Sequence, residues 1–131
     1  MKVLTVDFDD TLATTTTSGW GGDSLQPIQR ILDFVQDKAA SGWAVHVVTF
    51  RSENDKREVT DFIKGYKLPV RSVQCTDGKN KVPTLKKLGS KLHVDDHVET
   101  CMLATLAGID VLLVDSENNQ TNSTADLFAK I

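Results

Sequence analysis

Apolar residues recur along this chain in short β-branched runs, separated by stretches at helical spacing. The run at 2–8 (KVLTVDF) reads as a buried strand opening onto acidic residues. Four more strands are predicted at 43–50 (WAVHVVTF), 70–75 (VRSVQC), 91–94 (KLHV) and 109–114 (IDVLLV). Between the first two, Leu25, Ile28, Ile31, Leu32 and Val35 follow a helical period, with Asp23 or Ser24 as its cap, Pro27 in its first turn and Gly42 at its end. Val59, Phe62 and Ile63 give a second helix its buried side, behind a Ser52/Asp55 capping signature. Val82, Leu85 and Leu88 mark a third helix stopped by Gly89, and 97–107 a fourth stopped by Gly108. Residues 9–24, rich in Thr, Ser and Gly, lack a helical period and read as a loop or small hairpin flap. The tail from Thr121 is polar before Ala125, Leu127, Phe128 and Ile131, which suit a final docking helix.

Five apolar strands alternating with helices predict an α/β fold. The expected architecture is a Rossmann-like three-layer sandwich whose central parallel sheet of about five strands is covered on both faces. With 131 residues and no repeat or linker, one domain spanning 1–131 is expected. No apolar run approaches the roughly 20 residues that span a bilayer. Asp7, Asp9 and Asp10 interrupt any signal-peptide core, so a cytoplasmic protein with no membrane partner is expected. Cys75 and Cys101 are too few and too distant for a disulfide framework or a zinc site, and read as buried free thiols. The net charge of −3 argues against strong non-specific nucleic-acid binding, although five lysines between Lys79 and Lys91 allow a local basic patch.

Ligands of such sheets bind beyond the carboxyl ends of the strands. Asp7 and Asp9, Thr49 and Arg51, and Asp95 and Asp96 all fall at predicted strand C-termini, so three separate segments deliver polar groups to one edge. Converging carboxylates raise one another's pKa, and a divalent cation relieves the conflict. Oxygen donors without a nearby Cys or His pair favour Mg²⁺, whose shell is commonly completed by substrate phosphate. Phosphoryl transfer is the chemistry this points to.

The segment Val6-Asp7-Phe8-Asp9-Asp10-Thr11-Leu12 resembles the first motif, DxDx[TV][LV], of the haloacid dehalogenase (HAD) superfamily. Val47-Val48-Thr49 resembles the second motif, a lysine before the fourth strand the third, and Val94-Asp95-Asp96 the fourth. The resemblance implies an HAD-type phosphatase, a Mg²⁺-dependent phosphomonoester hydrolase. Asp7 would be the nucleophile that forms an aspartyl-phosphate and Asp9 the general acid/base, its backbone carbonyl also on the metal. Thr49 would hydrogen-bond a phosphate oxygen, and the lysine would neutralise phosphate and Asp7. Lys81 is the first choice for it, Lys79 the second, with Lys86 and Lys87 behind. The implied metal ligands are Asp7, Asp9 and Asp96, with Asp95 as a support or water-mediated ligand. Substrate contacts would come from Thr49, Phe50, Arg51 and Asp10.

The intervals from Asp9 to Thr49 and from Thr49 to Lys81 hold no sizeable cap domain, which implies a minimal, capless member. An open site suits an extended substrate such as a nucleic-acid end, or closure by a second subunit in a homo-oligomer. Arg51-Ser52 together with Asp95-Asp96 resembles the phosphatase domain of phage-type polynucleotide kinase/3′-phosphatases, although the chain has no P-loop. Candidate substrates are therefore a phosphorylated small molecule, a nucleotide or a polynucleotide 3′ end. His46 and His93 read as strand residues that pack, while His97 could touch substrate or orient Asp96. Trp20 could stack on a base or anchor the flap. Two non-catalytic alternatives stand beside the enzyme: a silent phosphate-binding HAD fold, and a receiver-like signalling domain, whose phosphorylated Asp would end the third strand.

Overall fold

A computed structural model of the chain describes residues 1–18, 22–115 and 120–123. The five apolar runs become β1 (Val3–Val6), β4 (Ala44–Thr49), β5 (Val70–Cys75), β6 (Leu92–Asp95) and β7 (Asp110–Asp115). Between β1 and β4 lie a hairpin, β2 (Ala13–Ser18) and β3 (Gly22–Pro27), and the helix α1 (Gln29–Ala40). Helices α2 (Lys56–Gly65), α3 (Val82–Leu88) and α4 (Val98–Leu106) follow, and β8 (Gln120–Ser123) comes last. The sheet order is β5-β4-β1-β6-β7-β8; the first five strands are parallel and β8 is antiparallel to β7. This is a Rossmann-like three-layer α/β sandwich, and its described insert after β1 is a two-stranded hairpin rather than a cap domain.

Side-chain alternation along the strands sorts the core into two layers. Leu4, Val6, Val45, Val47 and Val94 pack against Ile31, Leu32 and Val35 of α1 and Val59, Phe62 and Ile63 of α2. On the other face Val48 and Val111 meet Val82 and Leu85 of α3 and Cys101 and Ala104 of α4. Thr5 and His93 stand opposite each other across β1 and β6, out of phase with Leu4, Val6 and Val94, and so belong to this second layer. From β1 the chain builds β4 on one side and later returns to place β6 on the other. That reversal makes the C-terminal ends of β1, β4 and β6 the topological switch point of the sheet.

Three elements differ from their sequence reading. Helix α1 begins at Gln29, not Leu25; Leu25 and Pro27 belong to β3, Asp23 and Ser24 lie in that strand, and the N-cap, Ile28, makes no side-chain cap bond. Leu25 and Ile28 pack on the same core layer as the helix, so one apolar pattern runs through two elements. Ser52 precedes a short 3₁₀ turn and donates its hydroxyl to the Asp55 carboxylate at 3.2 Å instead of capping a backbone N–H. The polar segment at 120–123 is a strand: at the margin of the sheet it needs no apolar face, and Thr121 accepts a hydrogen bond from Arg30. Trp20 and the expected docking helix at 124–131 lie outside the described residues. Both cysteines are free thiols, Cys101 buried and Cys75 half-buried. Among the described residues no helix is long and apolar enough to cross a membrane.

Candidate active site

The site is built on the residue that follows β1. Asp7 continues the ladder by donating its N–H to the Val94 carbonyl at 2.8 Å, so its side chain falls on the face already holding Thr5. The next turn is tight: the Phe8 carbonyl accepts N–H groups from Thr11, Leu12 and Ala13, and Asp10 sits in the left-handed region at φ +58°. An aspartate tolerates that conformation better than most residues. The turn brings Thr11 back over Asp7, whose Oδ2 accepts from its hydroxyl at 3.2 Å; Asp96 Oδ1 lies 3.4 Å from the same hydroxyl.

Lys81 reaches the cluster from the residue before α3. It is fully buried, and its ammonium donates to Asp7 Oδ1 at 2.9 Å and Asp95 Oδ2 at 2.8 Å. Lys79, Lys86 and Lys87 are exposed. Asp95 is tied on both oxygens: Oδ2 also meets His93 Nε2 at 2.8 Å, and Oδ1 accepts the His97 N–H at 3.0 Å. One oxygen each of Asp7, Asp95 and Asp96 lies within 4.8 Å of the others. Carboxylates from two distant stretches of chain thus share one small volume.

Burial, and then the neighbouring Asp95 charge, push Asp7 well above the ordinary carboxylate range despite Lys81. Burial likewise raises Asp96, aided by Asp95 and Asp10. For Asp95 burial acts against the charge, but the His93 hydrogen bond and the Lys81 ammonium outweigh it and hold the group well below its usual value. Lys81 is raised because Asp7 and Asp95 overcome its burial, whereas burial lowers His93. Three carboxylates therefore face a single ammonium, a surplus of negative charge in a partly desolvated pocket. An all-oxygen donor set of this kind fits a hard divalent cation such as Mg²⁺. Asp95 is held on both oxygens by short bonds from Lys81, His93 and the His97 N–H, whereas Asp7 Oδ2 meets only the Thr11 hydroxyl at 3.2 Å, so Asp7 and Asp96 are the carboxylates best able to accept it.

The remaining predicted residues surround this cluster. Arg51 grips Asp9 in a bidentate pair, Nε to Oδ2 at 2.9 Å and Nη2 to Oδ1 at 2.8 Å, and its third nitrogen reaches Glu58 at 2.8 Å. These carboxylates raise the Arg51 pKa, the Asp9 hydrogen bonds most of all. Thr49 is fully buried at the end of β4, where its hydroxyl oxygen accepts the Arg51 N–H at 3.2 Å. The Phe50 ring lies 4.5 Å from the Lys81 ammonium and meets the His97 ring edge-on at 5.3 Å. Asp10 accepts from the Thr14 hydroxyl at 3.2 Å, and with Asp96, Thr14 and Val98 it lines an open cleft of about 380 Å³. His97 caps α4: its Nδ1 accepts the Thr100 N–H at 3.3 Å and lies 2.7 Å from the Thr100 hydroxyl, so the ring is engaged by its own helix rather than by Asp96. His46 bonds Ser72 at 2.6 Å, away from the cluster.

Three residues with no role in the sequence reading stand in or beside the site: Thr11, Glu58 and His93. Thr11 was visible only as a motif letter, and Glu58 as one more exposed helix charge. His93 carried a signal, a histidine two residues before an aspartate on one strand, which keeps both on the same face.

No protein-family pattern matches the chain, and no curated protein matches its sequence. Among solved structures it is similar to a chain of the Pnkp1/Rnl/Hen1 complex, with a TM-score of 0.68 and 12% identity over 86% of this chain and 44% of that one. It is also similar to a putative 3-deoxy-D-manno-octulosonate 8-phosphate phosphatase from Vibrio cholerae, with a TM-score of 0.52 and 16% identity over 75% of this chain and 57% of that one. The chain spans about half the length of these solved chains. At such identities the likeness shows a shared fold.

Proposed function

We propose that this chain is a Mg²⁺-dependent phosphomonoester hydrolase working through an aspartyl-phosphate on Asp7. One observation carries the reading: a fully buried lysine bridges Asp7 to Asp95 while Asp96 stands within 4.8 Å of both. Such an assembly is costly to bury without a use, because ion pairs taken out of water rarely repay their desolvation.

In this scheme Asp7 attacks phosphorus with a carboxylate oxygen, and the bond to the ester oxygen breaks. Asp9 protonates that leaving oxygen, then takes a proton from the water that attacks the acyl phosphate, freeing inorganic phosphate and restoring Asp7. Lys81 keeps Asp7 oriented and stands where negative phosphoryl oxygens gather. Asp7 and Asp96, with the Asp9 carbonyl, are the groups to hold Mg²⁺, and Asp95 supports them from behind through Lys81. When bound, the cation screens the carboxylates from the phosphate. Arg51 has a double part: it occupies both oxygens of Asp9, so it must turn toward the substrate phosphate before Asp9 can carry a proton. A bidentate guanidinium suits both partners. The receiver-like alternative loses ground because β5 ends at Cys75, without a carboxylate on its last residue.

The test is turnover of p-nitrophenyl phosphate with and without Mg²⁺, comparing wild type with Asp7→Asn. Equal turnover by the two proteins removes Asp7 from its role. A panel of phosphorylated metabolites run beside 3′-phosphorylated oligonucleotides then separates a small-molecule phosphatase from a polynucleotide 3′-phosphatase or nucleotidase.

A further inference from the structure

We infer that His93 is a positioning residue: held by Thr5, it fixes the Asp95 oxygen that keeps Lys81 on Asp7. Its effect on turnover rests on the function proposed above; its effect on Lys81 does not.

A file of polar side chains runs through the α3/α4 layer along the strand direction. Ser90 Oγ lies 2.7 Å from Thr5 Oγ1, and Thr5 Oγ1 lies 2.8 Å from His93 Nδ1. His93 Nε2 is 2.8 Å from Asp95 Oδ2, which Lys81 also touches at 2.8 Å before reaching Asp7 at 2.9 Å. Every member except Ser90 is buried. Five groups connect one end of β6 to the nucleophile at the other.

The direction of each bond follows from the chemistry of the acceptor. Ionised Asp95 only accepts, so His93 Nε2 carries the hydrogen. In a neutral ring Nδ1 is then bare, and only the Thr5 hydroxyl can donate to it. Thr5 in turn is left to accept from Ser90 at 2.7 Å, a shorter contact than the Leu92 carbonyl offers to either hydroxyl, 3.2 Å from Ser90 and 3.4 Å from Thr5. One tautomer satisfies the whole file.

Simple packing does not require this. The register neighbour of His93 on β7 is Val111, and an aliphatic residue at 93 would fill the layer without burying polar atoms. What it could not do is hold Asp95. The terminal torsion of an aspartate is broad, so the side chain does not set its own carboxylate plane. The His97 N–H fixes one oxygen and His93 fixes the other. Lys81 sits at the end of a flexible four-carbon stem and takes its position from the anion it meets.

The test compares Thr5→Val, which keeps the shape and removes the donor to Nδ1, with Thr5→Ser, which keeps the donor and removes a methyl. A positioning role lowers kcat for p-nitrophenyl phosphate about tenfold in Thr5→Val while Thr5→Ser stays near wild type, in the range for groups that orient a site from behind. A packing role reverses that order, because serine leaves a hole and loses the β-branch, and the reversed order overturns the inference. Nitrogen-15 spectra of the histidine rings give a readout independent of turnover. Wild type and Thr5→Ser should show His93 protonated at Nε2 alone, and Thr5→Val should lose that single state. A doubly protonated or Nδ1–H ring in the folded wild type overturns the inference with no variant needed. Should wild type turn over no phosphomonoester, the proposed reaction falls, and the ring spectra alone decide whether Thr5 holds His93; a ring unchanged in Thr5→Val says it does not.

Discussion

The two faces of the central sheet are made by the same strands and obey different rules. Toward α1 and α2 the strands offer Leu4, Val6, Val45, Val47 and Val94, a layer held by apolar burial alone. Each such side chain contributes about 1.5–3 kcal/mol when fully buried. Toward α3 and α4 the same strands bury Thr5, His93 and Asp95, and Lys81 joins them from the loop. That layer survives because its polar atoms are paired: among the described residues, no buried side-chain nitrogen or oxygen lacks a partner. The comparison separates two tasks. One face supplies stability by apolar burial alone, and the other sets paired charges beside its own apolar cluster, at the edge where the proposed substrate would bind.

The contrast can be broken most severely at the proposed nucleophile. Asp7→Asn should lower turnover by roughly four orders of magnitude, since an amide cannot form the acyl phosphate, while thermal unfolding still reports a folded chain. Lys81→Met strikes the same face through charge. It leaves Asp7 and Asp95 buried without their common cation, and urea unfolding should show a loss of about 3–5 kcal/mol. On the apolar face Leu4→Ala should cost about 2–5 kcal/mol yet leave kcat of the folded fraction unchanged; a drop in kcat there would erase the division of tasks.

Smaller effects sharpen it. Asp7 and Asp96 bind protons more tightly folded than unfolded, so metal-free stability should fall as pH rises from about 4 through their raised values. Asp95 has the opposite sign: its contribution is present above about pH 4 and disappears only as pH falls toward its depressed value. Mg²⁺ should therefore raise the melting temperature more at about pH 8 than at about pH 5, and an equal shift at both would count against Asp7 and Asp96 as ligands. The smallest change is expected at the rim, where Glu58 is half exposed and holds one arm of Arg51. Glu58→Gln should alter stability by no more than about 1 kcal/mol, as chemical unfolding would read.

Much of this arrangement was legible in the chain, and the gaps have physical causes. Parallel strands buried on both sides write themselves as continuous apolar runs, and a polar residue ending such a run marks the sheet edge. The positions of Asp7, Thr49, Asp95 and Asp96 could be read that way. The β2–β3 hairpin hid because Leu25 and Ile28 share a core with α1 and so extend its period backward. β8 hid because a marginal strand of Gln, Thr, Asn and Ser has no apolar side to betray it. The Thr5–His93 pairing was beyond reach for another reason. Register belongs to two strands together, and neither β1 nor β6 carries it alone.

The buried lysine bears on how such a chain can drift. Losing Lys81 strands Asp7 and Asp95 in the interior, and losing Asp95 takes the shared partner from Lys81 and His93, so a descendant that lost the proposed activity would still keep the Lys81–Asp95 pair to stay folded. Asp9 stands at the solvent edge under no such restraint. Among relatives, survival of Asp9 would thus track the proposed activity, whereas survival of the Lys81–Asp95 pair would record only an intact interior.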